Sequence, residues 1–488
     1  MNEKKFTNFW AHRISRWSKV SYKAGLAAIA AVLWMALPVK SDAQQSMEDD
    51  ALFIRKIYDQ TLTDCSAYDW LAFLCKKIGG RLAGSPQASA AVEYTGQMLD
   101  TLGLDAVWKQ PCTVPHWVRG DKERVRVVSS FKLGSFDLRT TTLGNSIPTP
   151  EGGLVAEVVE VQSLDEVDRL GEEGVSGKIV FFNRPMNPKE INTFSAYGGA
   201  VDQRGSGPSR AAKYGAVGAL VRSMTTEIDD HPHTGSLGYS PDFPKIPAMA
   251  VSTRDAEKLS DLLADGPVRV FMETNCNSFD PKPSFNVIGE IKGSEHPEQI
   301  IVIGGHLDSW ETGEGAHDDG AGCVQSMAVL QTLMRLGYKP KRTIRCVLFM
   351  NEENGLAGGR AYGAAANEKG EFHMAAIESD RGGFTPRGFT FDADESVFAE
   401  KFKKVYTWQP LLEPYGLSLS KGGSGADIGP LKSQKGLLIG FYPDSQRYFD
   451  YHHTETDRLE AVNKRELELG AASMTALVYL LDKYGLDR

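Results

Sequence analysis

The sequence has few cysteines, and none of them is paired in a C-x-x-C spacing. Its six cysteines are scattered between residues 65 and 346, so neither a thiolate zinc site nor a disulfide-rich scaffold is indicated. Cys323 and Cys346 lie in apolar surroundings that are typical of free buried thiols. A bridge such as Cys65–Cys75 stays open, because connectivity cannot be deduced from spacing alone.

The chain also lacks a basic excess, internal repeats and low-complexity tracts. Its 54 Lys and Arg are outnumbered by 63 Asp and Glu, which gives a net charge of −9. No nucleic-acid partner is predicted, because binding to phosphates requires positive charge. The 488 residues, 41% of them hydrophobic, are typical of a globular chain with one large domain or two to three smaller ones.

Long apolar runs are missing except for AGLAAIAAVLWMALP, residues 24–38. A basic stretch, residues 4–23, precedes this run, and small residues follow it at Ser41 and Ala43. The run is shorter than the roughly 20 residues that a membrane-spanning helix needs. We therefore predict a signal peptide over residues 1–43, export to the periplasm or the cell exterior, and no stable membrane insertion after cleavage. An uncleaved N-terminal anchor is the alternative.

The periodicity of apolar residues divides the remaining chain into three parts. Residues 46–116 have a helical pattern, residues 117–283 have short β-like runs separated by Gly and Pro, and residues 284–488 alternate between strands and helices. Near-continuous apolar strands that alternate with helices predict a mostly parallel sheet covered on both faces. The fold class is therefore α/β, a peptidase-like domain in two parts (46–116 and 284–488) with a β-rich domain inserted over 117–283.

Acidic and imidazole side chains follow four of the predicted strands in the last part. Ligands in open α/β sheets bind beyond the carboxyl ends of strands, so these residues are expected to converge. Each of them alone has an ordinary structural explanation, and Asp319 is expected only to cap the following helix. The convergent set is His306, Asp318, Glu352, Glu353, Asp380 and His453.

This combination of side chains is suited to two metal ions. Neighbouring cations repel each other, so they need a bridging carboxylate together with one His and one carboxylate apiece. Residues two apart in extended chain share a side, so Asp308 can accept a hydrogen bond from the second ring nitrogen of His306 and fix its tautomer. Adjacent glutamates point differently, so Glu353 can hold metal while Glu352 faces the bound water.

Several motifs occur in order along most of the chain that follows the apolar run. They are RLAGSP (81–86), HLDSWETGEGAHDDGAG (306–322), NEENG (351–355), ESDRGG (378–383), GGSGADIGPL (422–431) and YHHTETD (451–457). In this arrangement they resemble the co-catalytic dizinc exopeptidases, the family that includes bacterial aminopeptidases and glutamate carboxypeptidases. The resemblance is closest to the carboxypeptidase branch. It implies a zinc exopeptidase fold, two Zn²⁺ per chain and a peptide substrate.

The resemblance also implies a role for each site residue. His306 and Asp380 would bind one zinc, Glu353 and His453 the other, and Asp318 would bridge them. Glu352 would be the general base.

His453 is chosen over His452 because the family's ligand directly precedes a Thr, which leaves His452 to contact the substrate or the tetrahedral intermediate. The inserted region resembles a protease-associated domain that lines or covers the cleft, and the loop Gly422 to Asp427 is a candidate wall. A homodimer stays open.

Three alternatives remain at this point. The resemblance favours hydrolysis of dipeptides or short peptides with a free C-terminus, and the runner-up is an aminopeptidase. A non-catalytic receptor or binding protein on the same fold is a hypothesis of another class, against which the complete set of ligands argues. A single-zinc relative of glutaminyl cyclases is disfavoured by the match over the whole chain.

Overall fold

The computed structural model describes residues 42–486. The signal peptide predicted over residues 1–43 lies outside these described residues, apart from its last two positions. By their internal contacts the described residues divide after Phe53, within the helix Asp42–Thr63. Among residues 42–486, no helix combines the length and the apolar character that crossing a membrane requires.

The described chain begins with helices and then forms a long strand. The elements are the helices Asp42–Thr63, Ala67–Phe73 and Pro86–Asp100, the π-helical turn Leu74–Ile78, and strand β1 (Ala106–Val118). The helical pattern predicted up to residue 116 is therefore wrong for residues 106–116. Their pairing partner, residues 277–291, is distant in sequence, and such pairing overrides local propensity.

Residues 123–274 provide the strands of a second sheet. Its strands are β2 (Glu123–Ser129), β3 (Phe136–Leu138), β4 (Thr140–Thr142), β5 (Leu154–Val161), β6 (Ile179–Phe182), β7 (Gly218–Arg222), β8 (Ala248–Val251) and β9 (Arg269–Thr274). Helices Leu164–Val175, Thr193–Gly198, Asp202–Gly205, Gly207–Ala212 and Thr253–Asp265 lie between them. The order is β3-β2-β9-β5-β6-β7-β8-β4, and β5 to β8 are parallel. The limits 117 and 283 of an inserted domain, and its protease-associated type, stay predictions.

The rest of the chain completes the first sheet. Its strands are β10 (Asn277–Ile291), β11 (His296–His306), β12 (Arg342–Phe349), β13 (Phe372–Glu378), β14 (Pro386–Asp392), β15 (Ser418–Lys421) and β16 (Leu437–Pro443). The α-helices are Ala321–Arg335, Ala357–Glu368, Glu395–Tyr406, Gln409–Leu412, Tyr448–Tyr451 and Lys464–Tyr484, with a π-helical turn Ala316–Gly320 and 3₁₀ turns Glu413–Tyr415, Gly429–Gln434 and Leu459–Ala461.

This first sheet is mixed, with a parallel centre. The strand order is β1-β10-β12-β11-β13-β16-β14-β15. The prediction of a mostly parallel sheet holds for β12, β11, β13 and β16, whereas β1, β10 and β14 are antiparallel to their inner neighbours. The pair β1 and β10 runs from Ala106 opposite Glu290 to Val118 opposite Asn277. The chain therefore leaves for the second sheet and returns from it along one antiparallel ribbon.

The central strands are buried on both faces, which explains their continuous apolar runs. Every residue of β12 is buried, and Ile300 and Val302 of β11 pack in one cluster with Tyr362 and Ala366 of the helix Ala357–Glu368. The parallel strands all end at the same edge of the sheet, so the residues that follow them are brought together there.

Gly322 allows the helix Ala321–Arg335 to begin against the end of β13. A Cβ atom at this position would overlap the carbonyl oxygen of Ser379 and would lie 2.6 Å from a carboxylate oxygen of Asp319. Ser379 follows β13 directly. The absence of a side chain at Gly322 therefore keeps the start of the helix close to the ends of the central strands.

We expect Gly322→Ala to lower the free energy of unfolding by roughly 1–3 kcal/mol or more, because the backbone around it must move apart. Urea unfolding followed by circular dichroism would measure the change. Gly429→Ala is the matched control, since a Cβ at Gly429 meets no atom within 4 Å. Equal stability of the two variants would contradict this account of Gly322.

Candidate metal centre

The first half of the site lies where β11 and β13 end. His306 is the last residue of β11, Asp318 lies in the π-helical turn Ala316–Gly320, and Asp380 follows β13. The Nε2 atom of His306 is 3.2 Å from Oδ1 of Asp318 and 3.5 Å from Oδ1 of Asp380. One imidazole nitrogen thus faces two carboxylate oxygens, which is an arrangement that a single cation can share.

The second half is formed by residues after β12 and β16. Nε2 of His453 lies 3.2 Å from Oε2 of Glu353 and 3.3 Å from Oδ2 of Asp318. Asp318 therefore points one oxygen at each half of the site. Its Oδ2 atom is buried and accepts no hydrogen bond from the described residues, so a buried anionic oxygen is directed at His453 in a position where a cation would satisfy it.

His452 is a competing ligand for this second half. Its Nε2 is 3.8 Å from Oδ2 of Asp318, and its ring stacks on that of His453 with centroids 3.5 Å apart. Asp318, His452 and His453 could by themselves surround one ion. The contact between Glu353 and His453 is shorter, however, and Glu353 adds a charge, so the assignment of Glu353 and His453 to one ion stays our prediction.

Burial and neighbouring charges together set the pKa values of these groups. Burial, together with the nearby Asp318, raises the pKa of Glu353 to about 7. Burial disfavours the charged form of His453, but Glu353 and Asp318 outweigh it and raise the pKa of this ring to about 10. Metal binding would replace the imidazole protons, because His coordinates only in its neutral form.

Glu352 lies close enough to His306 and Asp380 to interact electrostatically with both. Its side chain lines the cavity above them, and burial raises the pKa of its carboxyl well above the usual range. Its backbone N–H donates to Oδ1 of Asp308 at 3.0 Å, and the N–H of Asn351 donates to the same oxygen at 2.7 Å. Asp308 thus fixes the loop that carries Glu352.

The sequence-based account of Asp308 needs one correction. Nδ1 of His306 lies 3.0 Å from the main-chain carbonyl oxygen of Asp308 and 3.8 Å from its carboxylate. The residue predicted to fix the His306 tautomer is therefore in place, but the accepting atom is its carbonyl oxygen. The carboxylate is turned toward the backbone of Asn351 and Glu352 instead.

Two further aspartates hold the backbone around Asp318 and His306. Asp319 accepts hydrogen bonds from the N–H groups of Gly322 and His306, each at 3.0 Å, so it caps the helix as predicted and also fixes the strand end. Asp457 was not predicted as a site residue. Its carboxylate accepts the N–H of Asp318 at 3.1 Å and that of His317 at 2.7 Å. Its place in YHHTETD was the one available signal.

A cavity of about 540 Å³ opens above these residues. Its lining combines the site residues with residues of the region predicted as inserted. Those residues are Phe194, Tyr197, Arg204, Gly205, Ser236, Leu237 and Gly238. The loop 422–427 is not among the lining residues, and its role as a wall stays a prediction. It surrounds Glu378, which accepts the N–H groups of Ala426 and Ile428 at 2.9 Å each.

All six cysteines are free, and Cys323 and Cys346 are buried as predicted. Cys65 and Cys75 do not form a bridge. The described residues therefore contribute no disulfide to the neighbourhood of the site.

Comparison with known proteins identifies relatives over most of the chain. Residues 286–478 match the model of peptidase family M28. Carboxypeptidase Q of Bos taurus is 34% identical over 424 residues, which covers 85% of this chain and 85% of that protein.

Two solved structures extend the comparison. The crystal structure of a peptidase M28 precursor from Shewanella amazonensis SB2B is 32% identical, with a TM-score of 0.85, and the match covers 91% of this chain and 99% of that one. A zinc aminopeptidase from Bacillus subtilis is 20% identical, with a TM-score of 0.61 and coverage of 86% and 96%. The latter likeness is one of fold alone.

We expect Asp318→Ala to lose both of the predicted ions, because this carboxylate faces both halves of the site. Zinc content after dialysis against a zinc buffer would be measured by elemental analysis, and the zinc-dependent rise in melting temperature should vanish in parallel. Asp444→Ala, which removes a carboxylate paired with Arg387, is the control. A variant at Asp318 that retains two ions would refute the bridging role.

Proposed function

The chain belongs to peptidase family M28, and from this membership we propose that it is an exported, zinc-dependent exopeptidase of the carboxypeptidase or dipeptidase type. Its substrates would be dipeptides or short peptides with a free C-terminus. The observation that carries this proposal is the pair of His–carboxylate sites that share Asp318 at the floor of a cavity containing one guanidinium, Arg204.

His306 and Asp380 would hold one zinc, Glu353 and His453 the other, with Asp318 between them. The residues fit such ions because they offer imidazole nitrogens and carboxylate oxygens, and because the buried Oδ2 of Asp318 has no hydrogen-bond donor among the described residues. When bound, zinc supplies Lewis acidity and makes water more acidic. The export part of the proposal rests on residues 1–43.

Glu352 would move the proton during hydrolysis. The residue lines the cavity, and its backbone N–H donates to Oδ1 of Asp308. Burial raises the pKa of the Glu352 carboxyl, a direction that favours a group that first accepts a proton from the attacking water and then returns it to the leaving amine. Asp308 acts here as a positioning residue.

His452 would contact the substrate or the tetrahedral intermediate. It lines the cavity, and its Nδ1 is buried without a hydrogen-bond partner among the described residues. Burial, together with the neighbouring His453, lowers the pKa of this ring well below its usual value. This direction favours the neutral imidazole, which can donate or accept a hydrogen bond at the reacting carbonyl.

Arg204 favours a carboxylate-recognising enzyme over an aminopeptidase. Among the described residues that line the cavity, it is the one Lys or Arg. Its Nη2 donates to the hydroxyl of Tyr197 at 2.5 Å and its Nη1 to the carbonyl of Thr234 at 3.3 Å, whereas its buried Nε has no acceptor there. A free substrate carboxylate is the complementary group for such a guanidinium.

We expect Glu352→Gln to lower turnover about 10²–10⁴-fold while zinc content stays unchanged, because the ligands are left intact. Hydrolysis of an N-acylated dipeptide and elemental analysis of the same preparation would measure both. Glu368→Gln, at an exposed position, serves as control. Full activity in zinc-loaded Glu352→Gln would remove this residue from the role.

We expect Arg204→Met to reduce kcat/KM for an N-acylated dipeptide on the order of 10- to 100-fold, the usual value of a hydrogen bond to a charged group. The C-amidated dipeptide, which lacks the carboxylate, should be a poor substrate of both enzymes. Arg210→Met, which removes an arginine paired with Asp168 instead, is the matched control. Preferential cleavage of the amidated substrate by the wild type would identify an aminopeptidase instead.

A further inference from the structure

A short segment of the second-sheet region, residues 233–235, rests directly on His453. We call it the Thr234 strap. The N–H of Thr234 donates to the carbonyl oxygen of His453 at 3.0 Å, and Nδ1 of His453 lies 3.2 Å from the carbonyl oxygen of Thr234. The strap therefore contacts both the backbone and the ring of one residue.

The hydrogen-bond direction at the ring follows from coordination chemistry. A His that faces a metal through Nε2 carries its proton on Nδ1, and that proton requires an acceptor. The carbonyl oxygen of Thr234 is such an acceptor. The guanidinium of Arg204 lies 3.5 Å from the same nitrogen. It can only donate hydrogen bonds, so it cannot be the acceptor for the Nδ1 proton.

His453 needs external support because of its backbone conformation. Its φ angle is +64°, in the left-handed region that residues other than Gly seldom adopt. Such conformations persist where surrounding contacts over-determine them. The pair of hydrogen bonds from the Thr234 strap supplies contacts of this kind at the residue itself.

Hydrogen bonds through Arg119 also connect the Thr234 strap to the loop that carries Asp318. The Oγ1 atom of Thr234 donates to the carbonyl oxygen of Thr142 at 2.8 Å and accepts from Nη2 of Arg119 at 3.2 Å. Nε of Arg119 donates to Glu311 at 2.7 Å, and the Arg119 side chain is only 8% exposed. Glu311 belongs to the segment between His306 and Asp318.

Gly235 sets the distance between the strap and the ring. A Cβ atom there would lie 2.7 Å from Nδ1 of His453 and would overlap the guanidinium of Arg204, and its φ angle is +129°. The absence of a side chain at Gly235 is thus a condition for the contact between Thr234 and His453.

We propose that the Thr234 strap positions His453 for its metal ion, so that occupancy of this half of the site depends on the second-sheet region. Thr234 and Gly235 are positioning residues. The inference rests on the proposed function, because it assumes that His453 is a metal ligand. It adds that the backbone of the second-sheet region, at Thr234, holds a metal ligand that comes from another part of the chain, His453.

The test compares zinc affinities, measured by competition with a chromophoric chelator, in the wild type, Gly235→Ala and Gly238→Ala. Gly238 is the matched control, because a Cβ there meets only the carbonyl oxygen of Gly205, at 3.6 Å. Gly235→Ala should lower the affinity for one of the two zinc ions about 10–100-fold, which is the usual effect of losing the hydrogen bond that supports a metal-binding His. The second ion in Gly235→Ala, and both ions in Gly238→Ala, should bind as in the wild type.

Thr234→Val is the second variant, for the case that Gly235→Ala does not fold, because it removes only the bonds of the hydroxyl to Arg119 and Thr142. Weakening of the same single ion in Thr234→Val supports the proposal.

Wild-type affinity for both ions in folded Gly235→Ala, or in Thr234→Val when Gly235→Ala does not fold, would overturn the inference and leave the proposed function intact. A wild-type protein that binds no zinc would refute the proposed function itself.

Discussion

The buried carboxylate of Asp318 is the group on which the rest of the site depends. Each of its oxygens faces one imidazole. Three further carboxyl groups lie nearby. So many buried negative charges are unfavourable unless positive charge compensates them. The surrounding structure serves this arrangement. Asp457 holds the backbone of Asp318, Asp319 ties the end of β11 to the next helix, and Gly322 lets that helix approach β13.

The position of the site could be predicted because it follows from a general property of parallel sheets. Apolar runs followed directly by His or acidic residues show in the sequence, and their strands end at one edge, so the convergence of His306, Glu353 and Asp380 needs no knowledge of side-chain geometry. The predicted strands of the central sheet are present for the same reason. Their signal is local, and burial on both faces makes it strong.

Contacts between distant segments could not be predicted in this way. Strand β1 has a partner more than 150 residues further along the chain, and its own pattern did not distinguish it from the preceding helices. Asp457 accepts a hydrogen bond from the backbone of Asp318. The presence of an aspartate in the sequence does not tell whether its carboxylate binds a metal or a backbone N–H. The sequence suggested the carboxylate of Asp308 as the partner of His306, whereas the fold brings its carbonyl oxygen to the ring and its carboxylate to Asn351.

The antiparallel ribbon of β1 and β10 has a mechanical consequence. Because both connections to the second sheet leave side by side and are hydrogen-bonded along most of their length, no single peptide bond can act as a swivel between the two sheets. Any bend within this connection therefore has to involve both strands of the ribbon at once.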